Sequence, residues 1–127
     1  VPAGEVDVVL VDTIGHLKAL YKLATVVFIG GSIAKKGGQN PIEAARCGRP
    51  VVFGPNMQNF REIAEIFLEN GAAVKVRDTQ HLKQTLEALL RDEDLRSRVS
   101  GNALRVVEDN SGALSATAEV IRGYIEI

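Results

Sequence analysis

The chain has 127 residues, enough for one domain with a core of its own. Hydrophobic residues make up 46% and charged residues 24%, which suits a globular domain and excludes a disordered or low-complexity chain. A net charge of −1 gives no electrostatic reason to expect nucleic acid, no run of 18 apolar residues offers a membrane-spanning helix, and the lone Cys47 excludes an intrachain disulfide.

Val1 to Glu5 are neither basic nor continuously apolar and do not read as a signal peptide. An opening Val in place of Met is expected of a piece of a longer chain. Val6 to Val11 is dominated by β-branched and aliphatic residues and predicts a buried strand. Leu17, Leu20, Tyr21 and Leu23-Ala24 recur at helical spacing, so a short helix is expected over Gly15 to Leu23. Thr25 to Ile29 is a second apolar run, the pattern of a parallel strand covered on both faces. After the glycine-bearing loop Gly31 to Gln39, Asn40-Pro41-Ile42-Glu43 has the make-up of a helix start. Asn is a good cap, Pro suits the first helical position, and Glu three residues after the cap completes a capping-box-like pattern. That helix should end near Cys47-Gly48, followed by a third strand at Val51 to Phe53. Asn59 to Asn70 is amphipathic and predicts a helix stopped by Gly71, and Ala72 to Val76 a fourth strand. Three more helices are expected over Thr79 to Arg91, Asp94 to Glu108 and Gly112 to Tyr124. Strands alternating with helices predict an α/β fold, a Rossmann-like three-layer domain around a parallel sheet.

In such a sheet, ligands bind beyond the carboxyl ends of the strands. Four segments fall there: Asp12 to His16, Gly30 to Asn40, Gly54 to Asn59, and Arg77-Asp78. The second is the richest. Gly30 and Gly31 allow close backbone approach, Ser32 offers a hydroxyl, Lys35 and Lys36 can neutralise phosphate, and Gly37-Gly38-Gln39 lead into a helix whose free N–H groups attract anions. The pattern is neither GxxxxGK[ST] nor GxGxxG. Glu43 has two readings: a capping carboxylate bonded to the backbone, or a site carboxylate accepting from ribose hydroxyls. His16, at a strand end, reads as structural or as a ligand contact, and His81 as a surface residue. The charged run Arg91 to Arg98 reads as a solvated helix face, and no His, Cys or carboxylate cluster has metal-ligand spacing.

Asp12-Thr13-Ile14-Gly15-His16-Leu17, Gly30-Gly31-Ser32, Gly37-Gly38-Gln39-Asn40-Pro41-Ile42-Glu43 and Gly54-Pro55 with Asn59-Phe60 together resemble the 3-deoxy-D-manno-octulosonic acid (Kdo) transferases of lipopolysaccharide synthesis. The resemblance runs from about Val6 to the C-terminus. It implies part of the C-terminal domain of a GT-B glycosyltransferase, whose donor is CMP-Kdo and which needs no metal or further cofactor. It implies that Ile14, Gly15 and His16, with Asn40, Pro41, Ile42 and Glu43, hold the nucleotide, Glu43 gripping the ribose while still free to cap. Gly30, Gly31, Ser32, Lys36, Gly37, Gly38, Gln39 and Asn59 would line the phosphate and sugar end, with Phe60 helping to shape it. The family's acceptor, a lipid A precursor, and its catalytic carboxylate belong to an N-terminal domain with no counterpart in these residues. That domain is also where the resemblance implies attachment to the cytoplasmic face of the bacterial inner membrane, the present chain by itself being soluble. The family commonly has Glu at the place of His16, His at that of Gln39 and often Pro at that of Ala44. Competing expectations are the donor domain of another GT-B enzyme, such as a UDP-sugar transferase or a nucleotide-sugar epimerase, and a nucleotide-binding module without catalysis. A phosphorelay-type flavodoxin-like domain would want an acidic cluster at the first strand, where only Asp7 and Asp12 stand.

Overall fold

The structure, a computed structural model, describes residues 7–11 and 16–109. Within them the order is α1 (Leu17–Tyr21), β1 (Val27–Phe28), α2 (Ile42–Arg46), β2 (Val51–Phe53), a 3-10 turn (Gln58–Phe60), α3 (Arg61–Glu69), β3 (Val74–Lys75), α4 (Thr79–Arg91) and α5 (Glu93–Asp109). The strands form a parallel sheet in the order β1-β2-β3, with Val27 opposite Val51 and Val52 opposite Val74. Backbone bonds extend the ladder past the short strands: Val27 N donates to Pro50 O, Ile29 N to Val52 O, and Val76 N to Phe53 O, each at 2.9 Å.

β2 is central and its three residues are buried, as expected of a β-branched and aromatic run with neighbours on both sides. Its alternating side chains build two cores. Val51 and Phe53 join the larger cluster with Ile42, Ala44, Ile63, Phe67, Ala103 and Val106, so α2, α3 and α5 cover that face. Val52 points to the other, where Val76 and Leu89 bring in α4. The three layers expected from the sequence are therefore present.

α3 carries its apolar side on Ile63, Ala64 and Phe67, spaced for one helical face. α4 spans the expected residues and opens on Asp78, whose Oδ1 accepts from His81 N at 2.8 Å. His81 Nδ1 in turn accepts from Arg77 N at 3.0 Å, so this histidine closes a helix start.

Two expectations change. Residues 7–11 form no strand, and Val8, Val9 and Leu10 are 83%, 66% and 86% exposed. An apolar run becomes a parallel strand only where a neighbour completes its ladder and layers cover both faces. Among the described residues neither reaches this segment. The helix expected from Asn59 begins instead as a 3-10 turn, because Asn59 N is committed to Gly37 O at 3.2 Å and Phe60 N bonds back to Met57 O at 2.9 Å. The helix expected over Gly112 to Tyr124 lies outside the described residues, as does most of the segment Asp12 to His16.

Candidate functional site

Parallel strands deliver their following loops to one edge of the sheet, so Gly30 to Asn40 after β1 and Gly54 to Asn59 after β2 emerge side by side. Five hydrogen bonds tie the two loops together. Ser32 Oγ accepts from Gly54 N at 2.8 Å, and Ser32 O accepts from Asn56 N at 2.8 Å. Asn56 Nδ2 donates to Ile33 O at 2.9 Å, Asn59 N to Gly37 O at 3.2 Å, and Asn59 Nδ2 to Lys36 O at 3.2 Å. The glycine loop also closes on itself, Gly38 N donating to Gly31 O at 3.2 Å.

Two glycines are demanded by this packing. Gly37 has φ of 90°, and a Cβ there would overlap the Asn59 carboxamide. A Cβ on Gly54 would strike the Ser32 carbonyl. Ser32 itself is 0% exposed and donates its hydroxyl to Ile29 O at 2.5 Å. The hydroxyl that the sequence offered to a ligand is thus used inside the protein, and Ser32 supports the loop from beneath. Asn59 works in the same way, through the backbone of Lys36 and Gly37. Gly30, Lys36 and Gln39 are exposed on the loop, while Gly37 and Gly38 are buried.

The loop hands over to α2 through Asn40. Its Oδ1 accepts from Ile42 N at 3.0 Å, so the asparagine half of the expected start forms, although the cap position itself falls on Pro41 (φ −84°, ψ −7°), one residue later than expected. The other half of the expected capping box does not form. Glu43 makes no bond back to Asn40; its Oε1 accepts from Arg46 Nη1 at 3.2 Å, one turn further along. The reason is spacing: residues three apart on a helix are neighbours, and a guanidinium offers a carboxylate more than one amide does. Glu43 Oε2 is buried and has no hydrogen-bond partner. A carboxylate oxygen out of water without a donor is costly, which makes it an unfilled acceptor in the fold. α2 is also only five residues long, so its dipole concentrates less positive charge at Asn40 to Ile42 than a full-length helix would.

α1 packs on α2. His16 precedes α1, is exposed, and makes no side-chain cap. Ile14 and Gly15 lie outside the described residues. Tyr21, at the end of α1, is half-buried, and its phenol is pushed above the ordinary 10.0, first by burial and then by the neighbouring Glu43 and Cys47. Arg46 had no role in the sequence reading, Tyr21 entered it only as a helix residue, and Asn56 only as part of the segment Gly54 to Asn59. For Arg46 the signal was available in its i,i+3 spacing from Glu43; for Tyr21 and Asn56 only folding supplies the neighbour. No group of three or more His, Cys, Asp or Glu side chains gathers as a metal cage would among the described residues. Among the same residues no helix is long and apolar enough to cross a membrane.

Comparison with known proteins places this geometry. The family of glycosyl transferases group 1 matches residues 5–106. The 3-deoxy-D-manno-octulosonic acid transferase of Haemophilus influenzae is 32% identical over 98% of this chain and 30% of its own length. That of Rickettsia prowazekii is 37% identical over 82% of this chain and 23% of its own. The chain thus spans less than a third of the length of these curated relatives. The crystal structure of the C-terminal CMP-Kdo binding domain of WaaA from Acinetobacter baumannii superposes with a TM-score of 0.73 at 30% identity, over 76% of this chain and 51% of that one. With a parallel three-layer fold, a braced glycine loop and these relatives, the chain belongs to the group 1 glycosyl transferases, and its likeness within them is to the Kdo transferases.

Proposed function

We propose that this chain is the donor-binding part of a Kdo transferase, and that it holds CMP-Kdo at the strand-end loops for transfer of Kdo to a lipid A precursor at the cytoplasmic face of a membrane. The observation that carries the reading is the unpartnered Glu43 Oε2, at the exit of a glycine loop on the carboxyl edge of a parallel sheet. The Glu43–Arg46 pair is a partly exposed i,i+3 contact, the kind worth roughly 0.5 kcal/mol, so little opposes its exchange for a ligand. Turned from Arg46, the carboxylate accepts from two adjacent ribose hydroxyls, and the unfilled acceptor is filled. Lys36 and the amides of Gly31 and Asn40 then lie on the phosphate side, the Ile42 amide being held by Asn40 Oδ1 and Pro41 having none to give. The departing phosphate carries growing negative charge, and donors already fixed in place stabilise it without rearranging. Ile14, Gly15 and His16 complete the base end in this reading, next to α1, while Gly30, Gly38 and Gln39 shape the turn over the phosphate.

In the native protein carrying this chain, Glu43→Ala should weaken CMP binding by about 2 kcal/mol, roughly thirtyfold. Its melting temperature should not fall, since the variant gives up only a partly exposed ion pair and removes a buried acceptor that has no donor. Calorimetric titration of CMP checks this. An unchanged affinity would remove Glu43 from the site, and tighter binding of UDP than of CMP would assign the fold to a different donor.

A further inference from the structure

A cavity of about 580 Å³ opens beside the glycine loop without including the Asn40–Glu43 turn. Its lining includes Phe53 and Lys75, the last residues of β2 and β3, so it lies at the carboxyl edge of the sheet. Lys35 enters it from the glycine loop, Lys75 from β3 and Arg61 from the start of α3, and Glu65 is the one acidic side chain among its walls. Three cations against one carboxylate leave an excess of two positive charges. The chain as a whole has 15 Lys and Arg against 16 Asp and Glu, so this excess is local. The one salt bridge among the described residues joins Arg46 to Glu43, and none of the three cations takes part in it. Three elements thus converge their unpaired positive charge on one hollow, where the walls focus it on any anion that enters.

The hollow adjoins the loop assigned above to phosphate. Lys35 belongs to that loop, and Met57, another wall, lies against Gly38, where an added Cβ would overlap its sulfur. A ligand whose phosphate rests on the glycine loop therefore extends its next group into the cavity. In a nucleotide-activated 2-ulosonic acid that next group is charged. The carbon bonded to the phosphate oxygen also carries the carboxylate, so a second anion sits one bond from the anomeric centre. A nucleotide carrying a neutral sugar has none there.

We propose that this cavity is a carboxylate subsite, in which Lys35, Arg61 and Lys75 receive the acid group of the transferred sugar and discriminate against neutral sugars on the same nucleotide. The assignment depends on the donor reading above. Leu68 and Ala64 of α3 add an apolar wall suited to the sugar carbons.

The test uses the native protein that contains this chain, with Arg61→Gln, Lys75→Gln and the double variant. Arg61 and Lys75 are exposed, so the fold should survive, and circular dichroism checks it. The double variant should raise KM for CMP-Kdo roughly tenfold, the loss of charge-assisted contacts to one anion, with Arg61→Lys restoring most of the effect of Arg61→Gln. The Kd for CMP, which has no carboxylate, and KM for the acceptor should stay within about twofold. Unchanged KM for CMP-Kdo with normal CMP binding would overturn the subsite alone. A rise confined to the acceptor's KM would overturn it too, and would give these cations to an acidic group of the acceptor. Failure of the unmodified protein to bind CMP would overturn the donor reading and the subsite with it.

Discussion

Glu43 and Tyr21 show how one residue's environment becomes measurable. Burial, the Glu43 carboxylate and Cys47 all disfavour a second negative charge, so the Tyr21 phenol holds its proton beyond the ordinary 10.0. In the unfolded chain nothing does this. The resulting stability is fully present below pH 10 and is lost as pH rises from there through the raised folded value, because the unfolded chain ionises first. Denaturant midpoints followed upward from pH 9 should therefore fall more steeply in the native protein than in Tyr21→Phe. Glu43→Gln should lower the phenol's titration point in ultraviolet absorbance, and an identical point in both proteins would place the carboxylate too far away to matter. Composition and spacing say nothing of this pairing, since residues 21 and 43 meet only when α1 packs on α2.

At the scale of elements, the two strand-end loops behave as one unit. Ser32 is the pin: its hydroxyl donates to Ile29 O and accepts from Gly54 N, and its carbonyl accepts from Asn56 N. Ser32→Ala leaves the Gly54 amide buried without an acceptor, at a cost of about 1–3 kcal/mol. Because the glycine loop depends on that brace, CMP affinity should fall along with the denaturation midpoint. A variant that lost stability but bound CMP normally would show the brace to be separate from the site. Local chemistry was readable at this scale wherever a side chain serves its own backbone. Asn40 turns the chain into α2 by accepting from Ile42 N, and Asp78 caps α4, as short polar residues ahead of a helix should. It misled where another partner competed. Glu43 took Arg46, one helical turn away, rather than the cap, and the Asn59 amide took Gly37 of another loop, turning the first helical turn after it into a 3-10 turn.

For the molecule as a whole, α5 is the far support of the site. It packs on α2, α3 and α4, and its Ala103 is fully buried in the core that also holds Ile42, Ala44 and Ala45 of α2. Ala103→Leu would add volume where none is free, costing about 1–3 kcal/mol. By shifting α2 it should also weaken CMP binding, though Ala103 touches no proposed ligand group. Unaltered affinity in a destabilised variant would show that α2 keeps its place without α5. The sequence alone determined the layered α/β class, because runs buried on both faces and helices with one apolar side have few ways to hide their surface. It also determined the position of the glycine loop and of the capped turn after it, because glycine, proline and asparagine act on the backbone within a few residues. Only the tertiary structure decided which of the polar groups are free. Ser32 and Asn59 are spent on bracing, Glu43 retains an unused oxygen, and Lys35, Arg61 and Lys75 share one hollow. A side chain's availability depends on neighbours brought from far along the chain, and no local pattern records those. The same physics explains Val8 to Leu10, whose strand-like composition goes unused where no neighbouring strand or covering layer among the described residues reaches it.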